Sequence, residues 1–129
     1  MAFDSKGTLN KVMLIGRLGQ DPELKYTQSG VAVLQISLAT DTSWKDQDGN
    51  QQTKTEWHRV VFWRKAAEIV AQYSKKGDRL YVEGKLATRS WEDNGQKKYM
   101  TEIQAENQQF LGSRGGDSGA SEAATPPPP

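Results

Sequence analysis

The stretch Thr55-Glu56-Trp57-His58-Arg59-Val60-Val61-Phe62-Trp63-Arg64-Lys65-Ala66-Ala67-Glu68-Ile69-Val70-Ala71-Gln72-Tyr73 changes its hydrophobic period partway along. Up to Trp63 it alternates, so that Trp57, Arg59, Val61 and Trp63 share one face of an extended chain and His58, Val60 and Phe62 the other. Past Arg64 the apolar residues Ala66, Ile69, Val70 and Tyr73 recur at helical spacing. A basic last turn, Lys75-Lys76, and a stop at Gly77 predict a helix over 64–76. A strand feeding directly into a helix is therefore the centre of the domain.

Working outward, Thr8 to Leu18 is rich in Val, Met, Leu and Ile and ends at Gly19 and Asp21-Pro22, a strand followed by a turn. Val31 to Thr40 is a second strand, with Leu34, Ile36 and Leu38 on one face. Between Trp44 and Thr55 the chain is polar, with Asp46, Asp48, Gly49 and Asn50, and reads as a long solvated hairpin. After the helix, Arg79 to Trp91 is a fourth strand, Asp93-Asn94-Gly95 a hairpin turn, and Lys97 to Phe110 a fifth strand. Three strands, one helix and two strands is the element order of the mainly β, five-stranded OB barrel, with its helix between strands three and four. The expected organisation is one domain over 1–111 and a disordered tail over 112–129, rich in Gly, Ser and Pro.

Composition narrows the chemistry. The chain has 129 residues of which 35% are hydrophobic, so its core must be small. It holds no cysteine and one histidine, His58, which removes disulfides, thiolate catalysis and cysteine or multi-histidine metal sites. No apolar run reaches the length of a membrane span and the N-terminus does not read as a signal peptide, so a cytoplasmic protein is expected. The carboxylates are scattered, no Gly-rich phosphate loop appears, and His58 lacks a nucleophile motif; these features argue against an enzyme and against any cofactor. The formal net charge of +1 is low for a nucleic-acid binder, whose footprint is usually basic, so the distribution of charge matters more than its sum.

Four tryptophans sit among polar neighbours. Trp44 lies in Ser43-Trp44-Lys45, Trp57 in Glu56-Trp57-His58, Trp91 in Ser90-Trp91-Glu92, and only Trp63 adjoins an apolar run. In the fourth strand, Leu80, Val82 and Leu86 point one way while Tyr81, Lys85, Arg89 and Trp91 point the other. Two strands thus each present indoles and cations on a single face. Bases stack on the former and phosphates pair with the latter, neither contact depending on sequence. In known single-strand binders such stacking is worth about 1–3 kcal/mol per base, enough to offset a modest net charge. For Trp63 a core position is an open alternative. Trp44 shares the parity of Leu34, Ile36 and Leu38, which sends it inward unless a bulge or its place in the polar hairpin frees it.

Three motifs carry a resemblance. Asn10-Lys11-Val12-Met13-Leu14-Ile15-Gly16-Arg17-Leu18-Gly19-Gln20-Asp21-Pro22-Glu23, Thr55-Glu56-Trp57-His58-Arg59-Val60-Val61 and Tyr81-Val82-Glu83-Gly84-Lys85-Leu86 resemble bacterial-type single-stranded DNA-binding proteins, in the same order, from about Thr8 to Leu111. The resemblance implies an OB-fold protomer of a homotetramer over which single-stranded DNA is wound, cytoplasmic and nucleoid-associated, serving replication, recombination and repair without catalysis. Family stacking aromatics match Trp44, Trp57, Trp63 and Trp91. Phosphate-contacting positions match Lys11, Arg59, Lys65, Lys76 and Arg89, and His58 matches a subunit-interface residue.

The chain also departs from the pattern. Trp63 stands where relatives usually carry Phe, and Ala87 and Ser90 stand where they are often basic. Relatives commonly end in an acidic tip that recruits replication and repair proteins, whereas here only Asp117 and Glu122 are acidic after Gly112 and the sequence closes on Pro126-Pro127-Pro128-Pro129. A shortened chain, or one lacking tip-mediated recruitment, is the expectation. The competing functional readings are an OB-fold subunit of a replication complex and an RNA-binding module.

Overall fold

The structure is a computed structural model that describes residues 6–112. Its elements are β1 (Val12–Leu18), β2 (Lys25–Tyr26), β3 (Ala32–Lys45), β4 (Gln51–Trp63), α1 (Arg64–Tyr73), β5 (Arg79–Asp93) and β6 (Gln96–Gly112). They form one sheet in the order β1-β5-β6-β4-β3-β2. A further antiparallel pairing of β1 with β3, at Arg17↔Ala39 and Leu18↔Leu38, closes the five long strands into a barrel. The only parallel contact in that ring is β4 with β6, at Val60↔Ile103 and Val61↔Gln104. This is the expected OB architecture, with the helix after the third long strand. The short edge strand β2 is an addition to the expected elements; of the tail expected over 112–129, Gly112 is the last residue of β6 and 113–129 lie outside the described residues.

Alternation fills the barrel. Leu34, Ile36 and Leu38 of β3 face Phe62 and Val60 of β4, and Leu80, Val82 and Ile103 complete the wall. Ala67 and Val70 of α1 are fully buried against this cluster, so the helix plugs one end. Each buried Leu, Val or Phe side chain contributes about 1.5–3 kcal/mol by leaving water. Two glycines mark where strands cross closest. A Cβ on Gly16 would run into the Ala39 carbonyl oxygen, and one on Gly84 into that of Gln104. The register of β6 against β5 also shifts beside Gly84, as expected where a barrel turns a corner.

Two local readings differ from the structure. The polar stretch read as a long hairpin loop is mostly ladder. β3 and β4 stay paired from Val33↔Trp63 to Lys45↔Gln51 without a break, leaving a turn of only 46–50. Thr42, Ser43, Thr53 and Lys54 are exposed, so period-2 alternation disappears although backbone pairing continues. Asp46 organises the turn. Its Oδ1 accepts the N–H groups of Asp48 and Asn50 at 2.9 Å and its Oδ2 the Gln52 amide at 3.0 Å. The Asn50 N–H is the largest influence holding the Asp46 carboxyl below its ordinary range.

The helix ends earlier than expected, at Tyr73, so Lys75 and Lys76 are not in its last turn. The reason lies in competing acceptors. Ser74 N–H still reaches Val70 O, but Lys75 N–H goes to Asp78 Oδ2, Lys76 N–H to Asp21 Oδ1 and Gly77 N–H to Leu18 O. Each donor that could extend the helix has a partner in the loop or in β1. Gly77 supplies the left-handed backbone (φ 91°) that lets the chain turn back to meet Leu18.

Candidate nucleic-acid interface

The outward face of β4 carries Trp57, Arg59, Val61 and Trp63, as alternation required, and that of β5 carries Lys85, Ala87, Arg89 and Trp91. The two strands are not adjacent: β6 lies between them. Through the pairings Val61↔Gln104, Lys85↔Gln104 and Ala87↔Glu102, it contributes Glu102 and Gln104 to the middle of the same surface. Sequence reasoning missed both. Their parity in the fifth strand opposes that of Ile103, but only the parallel pairing of β4 with β6 reveals that they bridge the two aromatic strands.

Trp63 is 42% exposed and Trp91 38%, while Trp57 is half-buried opposite Ala39. The rings stand on the outside of the barrel, not in its core. Their polar edges and neighbours hold them: Trp63 Nε1 donates to Gln104 Oε1 at 2.8 Å, and the Arg89 guanidinium lies 5.2 Å from the Trp91 ring centroid. Between the indoles sits an ionic cluster. Glu102 Oε2 accepts from Arg59 Nε at 3.0 Å and pairs with Arg89 Nη2 at 3.1 Å. Arg59 Nη2 also donates to Gln35 Oε1, and Arg89 Nη2 lies 3.8 Å from the Met100 sulfur. The expected phosphate contacts Arg59 and Arg89 are thus both present on the face, sharing one carboxylate.

The remaining expected residues lie elsewhere. Trp44 is 47% exposed, yet it keeps the parity of Leu34, Ile36 and Leu38, paired with Gln52 in an unbroken ladder. No bulge frees it. It escapes burial because the β3–β4 arm runs past the end of the barrel, and it therefore sits on the opposite side of that ribbon from Trp57 and Trp63. Lys65, in the first turn of α1, is exposed two residues after Trp63. Lys76 is exposed in the loop between α1 and β5. Lys11 lies next to β1, its Nζ 3.5 Å from Glu83 Oε1. His58 is half-buried on the core parity of β4, its Nε2 2.9 Å from Thr40 Oγ1.

Around Lys11 the outer surface changes character. Met13 and Ile15 of β1 are 63% and 56% exposed and lie opposite Glu83 and Tyr81 of β5. Tyr81 OH donates to Glu83 Oε2 at 2.6 Å, and Asn107 Nδ2 donates to Oε1 at 3.1 Å. The Tyr81 hydrogen bond is the largest influence holding the Glu83 carboxyl below its ordinary range, and the same bond raises the Tyr81 hydroxyl.

A five-stranded barrel with indoles and guanidiniums spread over one outer sheet face defines an OB-type, single-strand-binding class of domain. The family model described as the single-strand binding protein family matches residues 9–111, and the chain belongs to that family. It is 53% identical over 118 residues to Single-stranded DNA-binding protein 1 of Chlorobaculum tepidum, spanning 90% of this chain and 73% of the relative. The protein of the same name from Xylella fastidiosa is 51% identical over 109 residues, spanning 83% of this chain and 80% of that one. Among solved structures, a Plasmodium falciparum SSB in complex with ssDNA superposes with a TM-score of 0.73 at 40% identity, covering 86% of this chain and 99% of that one. Among the described residues no helix is long and apolar enough to cross a membrane.

Proposed function

We propose that this protein binds single-stranded DNA without regard to sequence and protects it during replication, recombination and repair. Bases stack on Trp57, Trp63 and Trp91, with Trp44 engaging strand that passes over the far side of the β3–β4 arm. Phosphates seat on Lys11, Arg59, Lys65, Lys76 and Arg89. The observation that carries the reading is the outer face itself, where indoles and cations of β4 and β5 flank the central strand β6, Trp63 and Trp91 open to solvent. A solved relative described in complex with ssDNA supports the same ligand class.

The domain over 1–111 acts as a homotetramer that winds the strand over its subunits. Exposed Met13 and Ile15, beside the Tyr81–Glu83 pair, offer an apolar surface suited to a second copy, and His58 stands at a subunit boundary. The protein works by binding and not by catalysis, in the cytoplasm with the nucleoid. Titration with oligo(dT) at low salt is the test, and strong quenching of tryptophan emission is expected. Absence of quenching rejects the reading, tighter binding of matched RNA transfers it to RNA, and cleavage of the strand in the presence of divalent metal rejects the non-catalytic part. Native mass with and without a long oligo(dT) tests the tetramer.

A further inference from the structure

Glu102 stands at the middle of the outer face, a carboxylate between the two guanidiniums that a polyanion would approach. Its side chain is only 5% exposed, although it points to the outside of the barrel. It is covered by the groups it binds: Arg59 from β4 and Arg89 from β5 both reach the same oxygen, Oε2. Gln104, whose amide oxygen holds the Trp63 indole, turns its NH2 toward Oε1 at the longer distance of 3.5 Å. Arg89 in turn lies against Trp91. One buried acid therefore joins the cation of one aromatic strand to the cation of the other.

We propose that Glu102 is a positioning residue that sets how this face divides its affinity between bases and phosphates. The inference rests on the single-stranded DNA reading above. Two things follow from the geometry. Left alone, two long guanidinium side chains on a wet surface would extend into solvent and sample many rotamers. Tied to one oxygen they lie along the sheet between Trp63 and Trp91, so the platforms and their spacers are ordered before a strand arrives. The same carboxylate leaves the three charged groups with a net of one positive charge instead of two. Fewer phosphates are then neutralised here, fewer counterions are released, and stacking carries a larger share of the binding.

The test is the salt dependence of oligo(dT) affinity for the full chain and for Glu102→Gln, which keeps shape and removes charge. The variant should gain about one neutralised phosphate, steepening the plot of log K against log salt by about 0.7. Over a tenfold change in salt that is roughly a fivefold change in relative affinity. The two lines should cross, the variant binding more tightly at low salt and less tightly at high salt, where disordered platforms are exposed as a loss. A merely structural role would instead lower the line in parallel, and that result overturns the inference alone. A wild type that does not bind oligo(dT) overturns the DNA reading and this inference with it. Should the glutamine variant fail to fold, Glu102→Asp carries the test, because it keeps the charge and shortens the reach. For that variant, an unchanged slope with weaker binding at every salt concentration and an unaltered Tm supports the proposal, whereas a changed slope, or a loss of affinity matched by a fall in Tm, overturns it.

Discussion

Replacing Trp63 by alanine separates a binding surface from a core position most sharply. The ring is 42% exposed, stands at the end of β4, and is held at its edge by Gln104. Alanine substitutions in single-strand binders, this family among them, put a stacked base at about 1–3 kcal/mol, so affinity for oligo(dT) should fall roughly 5- to 150-fold. A fully buried Trp→Ala change costs about 3–5 kcal/mol of stability, and for a ring this open the cost should be a minor fraction of that. No charge is removed, so the slope of log K against log salt should not change. Trp63→Phe keeps the plane and loses only the hydrogen bond to Gln104, and it should recover most of the affinity. The assay is anisotropy of labelled oligo(dT) across a salt series, paired with thermal unfolding of each variant. Unchanged affinity together with a large fall in Tm would mean that the indole packs the fold, and the face assignment would be wrong.

Gly16→Ala should destabilise the barrel by about 2–3 kcal/mol or more, since the new Cβ meets Ala39 backbone and Leu38 Cγ at 3.0 Å, and calorimetry should show Tm falling on the order of 10 °C. The Tyr81–Glu83 bond predicts two pH limbs. Glu83 has its carboxyl lowered from 4.5, so its contribution is present above that value and is lost as pH falls through the lowered one. Tyr81 is raised from 10.0, so its contribution is present below pH 10.0 and is lost as pH rises through the raised value. Thermal unfolding against pH should therefore lose stability at both extremes, and Tyr81→Phe should flatten both limbs. Lys76→Ala should weaken oligo(dT) binding equally for all sequences and flatten the salt slope by about 0.7, whereas a sequence-dependent loss would refute a phosphate role.

The barrel was legible because its signals are local. Period-2 alternation around Leu34-Ile36-Leu38 and Val60-Phe62 and the switch to helical spacing after Arg64 survive in the structure unchanged. What failed to show was whatever depends on groups distant in the chain. Helix α1 stops at Tyr73 because Asp78 takes the Lys75 amide and, far earlier in the chain, Asp21 and Leu18 take those of Lys76 and Gly77. The outward parity of Trp57, Trp63, Arg89 and Trp91 could be read strand by strand, but the placing of Glu102 between them could not. Trp44 is the instructive case. Its inward parity was read correctly, yet burial depends on where the barrel ends, and alternation carries no information about that.

A protein with a net charge of +1 can still hold a polyanion, because where its acids stand matters more than how many there are. Asp46 is engaged by the amides of its own turn, Asp78 by Lys75 N–H, and Asp21 by Lys76 N–H, all in loops at the ends of strands. These carboxylates organise backbone away from the middle of the β4–β6–β5 face. Glu83 is drawn into the Tyr81–Asn107–Lys11 cluster beside Met13, on the surface suited to a second copy. On the aromatic face itself, Glu102 is covered by the two guanidiniums that it binds. A strand laid across the middle of that face meets guanidinium and indole surfaces, while the exposed Asp41 and Asp93 stand at its margins. The distribution of charge, and not its total, is what makes the surface receptive.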